Sequence, residues 1–251
     1  VLGFGNAGTD YGFYNDQVYD GATFLFRNNS FSAAAGGAEY GFYSDSGFQD
    51  GTSNTIDLNS FAGFTTYGFY ADYLAYDGSD TTLTHNTFTA HSSGADEGID
   101  VGSEVDYGCT ALISHNTITG ITEYGIYVDG VDDGSELRIN DNMITMINPG
   151  AVDQYGIDLD DYADYGSLAE ISRNWVTNVG SAGQDSYGVY NEGAIQGSHL
   201  FVNDNTCTEM GTGTGYGIYC NYVVETGSST EINGNTTSTY SNTGLYLNDD
   251  T

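Results

Sequence analysis

The sequence predicts an all-β parallel solenoid of about eight to nine rungs, with 27–32 residues and three short strands in each. Three recurrences carry that expectation. A Tyr-Gly-apolar-Tyr signature places its glycine at Gly12, Gly41, Gly68, Gly98, Gly125, Gly156, Gly188, Gly217 and Gly244. An asparagine two residues ahead of an apolar or small side chain recurs at Asn29, Asn59, Asn86, Asn116, Asn142, Asn174, Asn205 and Asn235. A turn glycine followed by a small residue stands eight positions before each asparagine, at Gly21, Gly51, Gly78, Gly108, Gly134, Gly166, Gly197 and Gly227. From signature glycine to turn glycine the interval is always 9 or 10, whereas from asparagine to the next signature glycine it runs from 9 to 14, so length variation is confined to one loop per rung.

Each element of the rung follows from its residues. Asp-Gly at 20/21, 50/51, 77/78 and 133/134 predicts a tight turn with positive φ at the glycine. The next segment alternates apolar residues, as in Phe24/Phe26, Ala111/Ile113, Leu137/Ile139 and Ala169/Ile171, the period of a strand with one buried face. The asparagine column falls at the following bend, where amides stacked one rung apart can bond to each other and to the turn backbone. Beyond it the apolar series Phe31, Phe61, Phe88, Ile118, Ile144, Val176 and Cys207 marks a second strand, and Phe13, Phe42, Phe69, Ile99, Ile126, Ile157, Val189, Ile218 and Leu245 mark a third. No segment keeps an i, i+3, i+4 apolar pattern over three turns, which argues against helices.

One register runs through residues 1–251, so a single domain is expected. The 36 glycines would suit a disordered chain, but 39% hydrophobic and 14% aromatic residues are too many for one. No apolar stretch is long enough to span a membrane. With 35 Asp and Glu, three Arg, no Lys and a net charge of -32, nucleic acid and anionic membranes are excluded as partners. An acidic, lysine-free surface suits an extracellular or cell-surface setting in which cations screen self-repulsion. The chain opens on Val1 with no signal segment or initiator Met, and neither end carries a capping pattern; it reads as a processed protein or as a slice of a longer array, with edges open to further pairing.

The segments Ile113-Ser114-His115-Asn116-Thr117-Ile118 and Tyr124-Gly125-Ile126-Tyr127-Val128 resemble the generic repeat of the right-handed parallel β-helix, or pectate-lyase-like, superfamily. The resemblance covers the whole chain and implies that fold. It does not imply one activity, since the superfamily holds lyases, hydrolases, epimerases, adhesins, tailspikes and structural proteins. Its polyuronate lyases pair calcium-binding aspartates with a basic residue, and its polygalacturonases add His-Gly and Arg-x-Lys. This sequence has no Lys, no His-Gly and no Asp-Pro-His, and Arg138 has no acidic site aligned beside it.

In the third strand the second residue after the signature glycine is expected to point outward: Tyr14, Tyr43, Tyr70, Asp100, Tyr127, Asp158, Tyr190, Tyr219 and Tyr246. So is the fourth, which is Asp16, Asp45, Asp72, Asp129, Asp160 or Glu192 in most rungs. The tyrosines would stiffen the sheet or offer a platform to sugars or a neighbouring molecule. Carboxylates about 5 Å apart repel by roughly 0.8 kcal/mol even in bulk water, which calls for counter-charge. The densest group, Asp129, Asp158, Asp160 and Glu192 with Asp161 alongside, is a candidate Ca²⁺ site. Asp158 and Asp160, about 7 Å apart along one strand, are the candidate catalytic pair of an inverting-glycosidase type.

Three further features complete the reading. Hydroxyl residues flank the second strand, as in Thr87/Thr89, Thr117/Thr119 and Thr206/Thr208, a ladder similar to those of ice-binding solenoids or of O-glycosylated faces; Met143 and Trp175 interrupt it. Sequons start at Asn28 and Asn235. His85 and His115 share a register with Asp141 one rung on, a candidate transition-metal set, while Cys207 and Cys220 are expected in the core and Cys109 at a turn. Together these favour a non-catalytic structural or adhesive solenoid that stacks end to end and requires no cofactor, with Ca²⁺ as its candidate counter-ion. The alternative is a polysaccharide-binding or polysaccharide-processing β-helix.

Overall fold

The computed structural model describes residues 10–147, 152–180, 184–208, 214–221, 225, 227–238 and 242–248, together with the backbone of 2–4. Every secondary-structure element among them is a strand, and every strand pairing is parallel. One sheet stacks eight five-residue strands, from Thr23–Arg27 through Thr110–Ser114 to Ser229–Asn233. Each lies two residues beyond a turn glycine, and eight strands make seven full turns, slightly fewer than the eight to nine rungs expected. The register is unbroken: Leu83, Ile113, Ile139 and Ile171 stand above one another and line the interior.

The second and third expected strands form one continuous sixteen-stranded sheet. In two of the three rungs with a nine-residue interval from asparagine to signature glycine, no loop remains and both positions merge into single twelve-residue strands, Ser60–Ala71 and Thr117–Val128. Each merged strand shifts register twice, at Gly63 or Gly120, with φ of +84° and +86°, and again between Phe64 and Tyr67 or between Ile121 and Tyr124. The remaining side of the coil holds only isolated bridges, such as Val105↔Val131 and Val131↔Ala163.

Two tight turns per rung close the coil. The turn glycine and the residue before it are both left-handed, for instance Asp77 and Gly78 at φ 50° and 72°, so the turn strains both central residues rather than the glycine alone. Tyr107, Tyr165 and Gln196 hold the same conformation where other rungs have Asp. At the second turn the residue before each asparagine is left-handed, with φ of 54–59° from Asn28 to Asp204.

The expected asparagine ladder forms. Asn116 is typical: its Oδ1 accepts from the backbone N–H of Asn86 at 2.9 Å and from Asn86 Nδ2 at 3.1 Å. Its own Nδ2 donates to the Leu83 carbonyl at 2.8 Å and to Asn142 Oδ1 at 3.1 Å. The interior amides are almost fully buried, and this pattern satisfies their hydrogen-bonding capacity. A second ladder runs through the small residues after the turn glycines. The backbone N–H of Thr52 donates to Ser79 Oγ at 3.1 Å, that of Ser79 to Cys109 Sγ at 3.2 Å, and that of Cys109 to Ser135 Oγ at 3.1 Å. Cys109 thus replaces a hydroxyl in a buried column, and burial pushes its thiol up to about 11. Cys207 and Cys220 lie in the core as expected.

The interior consists of stacked apolar columns, with phenylalanine in the early rungs and isoleucine or valine in the later ones. Phe42 and Phe69 stack at 4.8 Å and Phe61 and Phe88 at 5.4 Å, all fully buried.

Candidate functional site

The signature glycine builds the outer face. A β-carbon on Gly125 would lie 2.3 Å from the carbonyl oxygen of Gly156, and one on Gly68 would lie 2.5 Å from that of Gly98; both clash with backbone. The strand bends at this residue, so the side chain before it and the side chain two beyond it both emerge on the outside while the residue between them, such as Ile126, stays in the core. Two tyrosine columns result. The expected one contains Tyr14, Tyr43, Tyr70, Tyr127, Tyr190, Tyr219 and Tyr246. The other, which the strand alternation alone did not reveal, contains Tyr11, Tyr40, Tyr67, Tyr124, Tyr155, Tyr187 and Tyr216.

Within a column the rings lie nearly parallel, 5.1 Å apart for Tyr43–Tyr70, 4.8 Å for Tyr155–Tyr187 and 5.3 Å for Tyr190–Tyr219. Between columns they meet edge to face, as for Tyr187–Tyr190 at 78°. Ring faces are therefore covered by neighbouring rings. Hydroxyls reach the carboxylate column: Tyr43 donates to Asp45 at 2.9 Å, Tyr127 to Asp160 at 3.2 Å and to Asp129 at 3.4 Å, and Tyr190 to Glu192. Burial first, and then the nearby carboxylates, raise the phenols, Tyr70 to about 12, so the hydroxyls remain protonated donors.

The candidate Ca²⁺ residues are not gathered into one shell. Asp129 and Asp160 share the Tyr127 hydroxyl, while Glu192 accepts from Tyr190 and from Asn221 Nδ2 at 2.9 and 3.0 Å. Asp158 is only 2% exposed, which corrects its expected outward, solvated placement: it takes a tyrosine position between the rungs of Tyr127 and Tyr190, and Oδ1 has no partner. Burial foremost, with Asp160 and Glu192 adding to it, raises its carboxyl well above the usual range. Among the described residues no group of three or more acidic, His or Cys side chains is placed to hold a metal. Asp158 and Asp160 are likewise not presented to solvent as a pair.

A different pair interrupts both columns in one rung. Glu97 pairs in register with Tyr67 and Tyr124, and Asp100 with Tyr70 and Tyr127, so two carboxyls occupy tyrosine positions. Gly102 takes the carboxylate position of that rung; a β-carbon there would lie 2.9 Å from the Tyr70 hydroxyl, which leans over it. Asp100 is 6% exposed. Burial, followed by the charge of Asp100 and a hydrogen bond with it, raises Glu97; burial and Asp129 raise Asp100 against the lowering effect of that bond. Both carboxyls are thus held above the ordinary range, and Asp100 Oδ1 is buried without a hydrogen-bond partner. Aligning the signature columns position by position is the signal that finds it.

The histidine set does not form. His85 and His115 stack at 4.9 Å, but His85 Nδ1 meets Asp57 Oδ1 at 3.1 Å, and Asp141 is taken by Arg173 through two 3.0 Å bonds. Burial would raise Asp57, but bonds from Arg27, Thr84 and His85 outweigh it and hold its carboxyl below the ordinary range. Arg138, expected to lack acidic company, pairs with Glu136 and lies 3.8 Å from Glu170. Met143 and Trp175, 48% and 56% exposed on adjacent rungs, break the flatness of the threonine face. Of the sequons, Asn28 is exposed, whereas Asn235 is the last asparagine of the ladder: its Nδ2 donates to the Val202 carbonyl at 2.7 Å and is not free to carry a sugar in the folded chain.

No helix among the described residues is long and apolar enough to cross a membrane. No curated protein and no solved structure matches the chain. The family model described as the right handed beta helix region matches residues 17–194, more than half of the sequence. The stacked parallel coils and this match agree, and the chain belongs to the right-handed β-helix family.

Proposed function

We propose that the chain is a non-catalytic structural or adhesive solenoid that works outside the cell, at a surface or in an appendage. One observation carries the reading: the tyrosine face is internally completed, its ring faces covered by stacking and its hydroxyls bonded to the chain's own carboxylates. Such a face stiffens a rod and leaves little aromatic surface for a sugar ring to stack on. End-to-end association belongs to the proposal, because a further rung from another copy meets the same amide, hydroxyl and ring positions one β spacing on. Cations, calcium foremost, act here by screening the carboxylate column rather than in a closed shell.

Electron microscopy of the purified protein tests the assembly. Rods much longer than about 40 Å, the length of eight stacked β spacings, are expected; uniformly single particles at high concentration and physiological salt would overturn it. A second reading, polysaccharide processing, draws on Glu97 and Asp100, two carboxyls that replace tyrosines in one rung and are both raised by burial, as general acid–base catalysis requires. Release of sugar fragments from a panel of polysaccharides, abolished by Glu97→Gln and Asp100→Asn, would establish that reading in place of the first.

A further inference from the structure

The face formed by the second strand of each rung differs from the rest of the surface. Two outward side chains stand on every strand that follows a ladder asparagine, and from Ser30 to Ser238 not one of them is charged, in a chain of net charge -32. Elsewhere the sheets present carboxylates: Asp45, Asp72 and Asp160 beside the tyrosines, and Asp80, Glu170 and Glu231 on the eight-stranded sheet. Two copies that approach through those faces set like charges against each other; through the second-strand face they do not.

The neutral face is built from two straight columns. Pairing from Ser30 to Thr236 keeps one register. One column is threonine without a break from Thr89 through Thr145 to Thr208. The other carries Met143 and Trp175 near its middle, 48% and 56% exposed. Ile144 and Val176, the next residues on the same strands, are fully buried, so the strands cannot turn the exposed pair inward without emptying the core.

The chemistry of the face favours a second copy over a sugar. Thr119 and Thr177 donate their hydroxyls to the Phe88 and Ile144 carbonyls of the preceding rung, at 3.5 and 3.3 Å. Donors spent inside the sheet leave little polar demand, so covering them with an equally neutral surface costs little. A sugar needs fixed polar partners for its own hydroxyls, and the two columns offer it no carboxylate, amide or guanidinium.

We propose that this face is a lateral interface with a second copy of the chain, the two rods lying parallel about a two-fold axis that runs along the rod between the two columns. Such an axis sets Met143 and Trp175 of each copy against the threonine column of the other, long side chains opposite short ones. An antiparallel pair centred on the same residues would set Trp175 against Met143 and hold the remaining rungs apart. The eight rungs at about 4.8 Å and about 13 Å of strand make roughly 500 Å² on each copy, about 1,000 Å² in all. That only just reaches the area of a specific contact, so the pairing is weak and depends on Trp175, whose type and central position are those of a binding hot spot.

The test is sedimentation of the intact chain from about 1 µM to about 1 mM in about 0.15 M NaCl, which screens the carboxylates, together with the emission of Trp175, the only tryptophan in the chain. Lateral pairing is expected to double the mass and to shift the emission to the blue as Trp175 leaves water. End-to-end growth adds mass without that shift, so the two associations are told apart and either can fail alone. Trp175→Thr should weaken pairing roughly 5- to 30-fold. Thr145→Glu, which sets a carboxylate opposite Met143 of the other copy, should abolish it with the tryptophan still present as probe, while Thr23→Glu, exposed on the eight-stranded sheet, should leave it unchanged. Unchanged melting of the variants shows that a loss arises at the face and not from unfolding. Nitroxides on Ser30→Cys, the native cysteines being buried, should lie closer than about 25 Å in the parallel pair; a separation above about 40 Å is that of the antiparallel one and would overturn the arrangement. Constant emission over the whole series, undiminished pairing in Thr145→Glu, or equal loss in Thr23→Glu and Thr145→Glu would each overturn the interface. So would a saturable blue shift of the dilute, single chain with hydroxyethyl cellulose, which would assign the face to a neutral polysaccharide.

Discussion

Replacing Asn116 by alanine removes one rung of the amide ladder, and the cost follows from its bonds. The Asn86 backbone N–H loses its 2.9 Å acceptor, and the Leu83 carbonyl loses its 2.8 Å donor. Asn86 Nδ2 keeps its bond to the Ile56 carbonyl, and Asn142 Oδ1 keeps the Asn116 backbone N–H at 3.0 Å, so those two groups are weakened and not orphaned. Asn116 is 1% exposed, and water does not easily replace what is lost. At about 1–3 kcal/mol for each of these two unsatisfied buried groups, the substitution should destabilise by roughly 2–6 kcal/mol. Over a domain of this size that lowers the melting temperature by roughly 5–15 °C. Thermal unfolding by circular dichroism measures the total, and hydrogen exchange locates it, with the Asn86 amide exchanging faster than its neighbours. The matching comparison is Asn235→Ala at the last, half-exposed rung, which removes the corresponding bonds to the Asn205 N–H and the Val202 carbonyl but admits water beside them, so the loss should be smaller than at Asn116. Equal destabilisation at the two positions, or an unchanged Asn86 exchange rate, would refute the ladder as a source of stability.

Two other outcomes follow. Asp158 has a raised carboxyl pKa in the folded state, so its contribution to stability is greatest in acid, where it is protonated folded and unfolded alike, and is lost as pH rises from the ordinary carboxylate range through the folded value; Asp158→Asn should therefore raise the melting temperature at neutral pH and leave it nearly unchanged near pH 4, and a variant equally stabilised at both would contradict this. Tyr40 and Tyr70 are raised to about 12 by burial and by neighbouring charge, so absorbance titration should leave these two phenols protonated at pH 11, and full ionisation of all phenols by that pH while the chain stays folded would contradict the packing described.

The architecture was legible because its markers repeat at fixed offsets and each has one dominant physical cause. An asparagine that recurs at one bend can be explained by a neighbour one rung away, and Asp-Gly by a left-handed turn. The candidate site was less legible because alternation along a strand assumes a straight strand. The signature glycine bends it, so Tyr124 and Tyr127, three residues apart, share a face, and a second tyrosine column went unassigned. The same assumption placed Asp158 in solvent. A smaller side chain in a tyrosine position is covered by the rings above and below, which no reading of its own strand reveals. Arg138 and Asp141 show another limit: partners one rung away are 32 residues distant in sequence, and side-chain reach decides among several acids.

The two hydrogen-bonded ladders also have a direction. From Asn29 to Asn235 every amide-to-amide bond runs from Nδ2 of one rung to Oδ1 of the next rung toward the C terminus, and the hydroxyl ladder from Thr52 to Ser198 points the same way. Within these two series the bonds add head to tail, while the second Nδ2 bond of each amide, to a carbonyl of the preceding rung, runs the other way. Two copies meeting front to back continue both series, whereas two meeting front to front bring donor against donor. Any filament built from this coil should therefore be polar, with two unlike ends that grow at unequal rates.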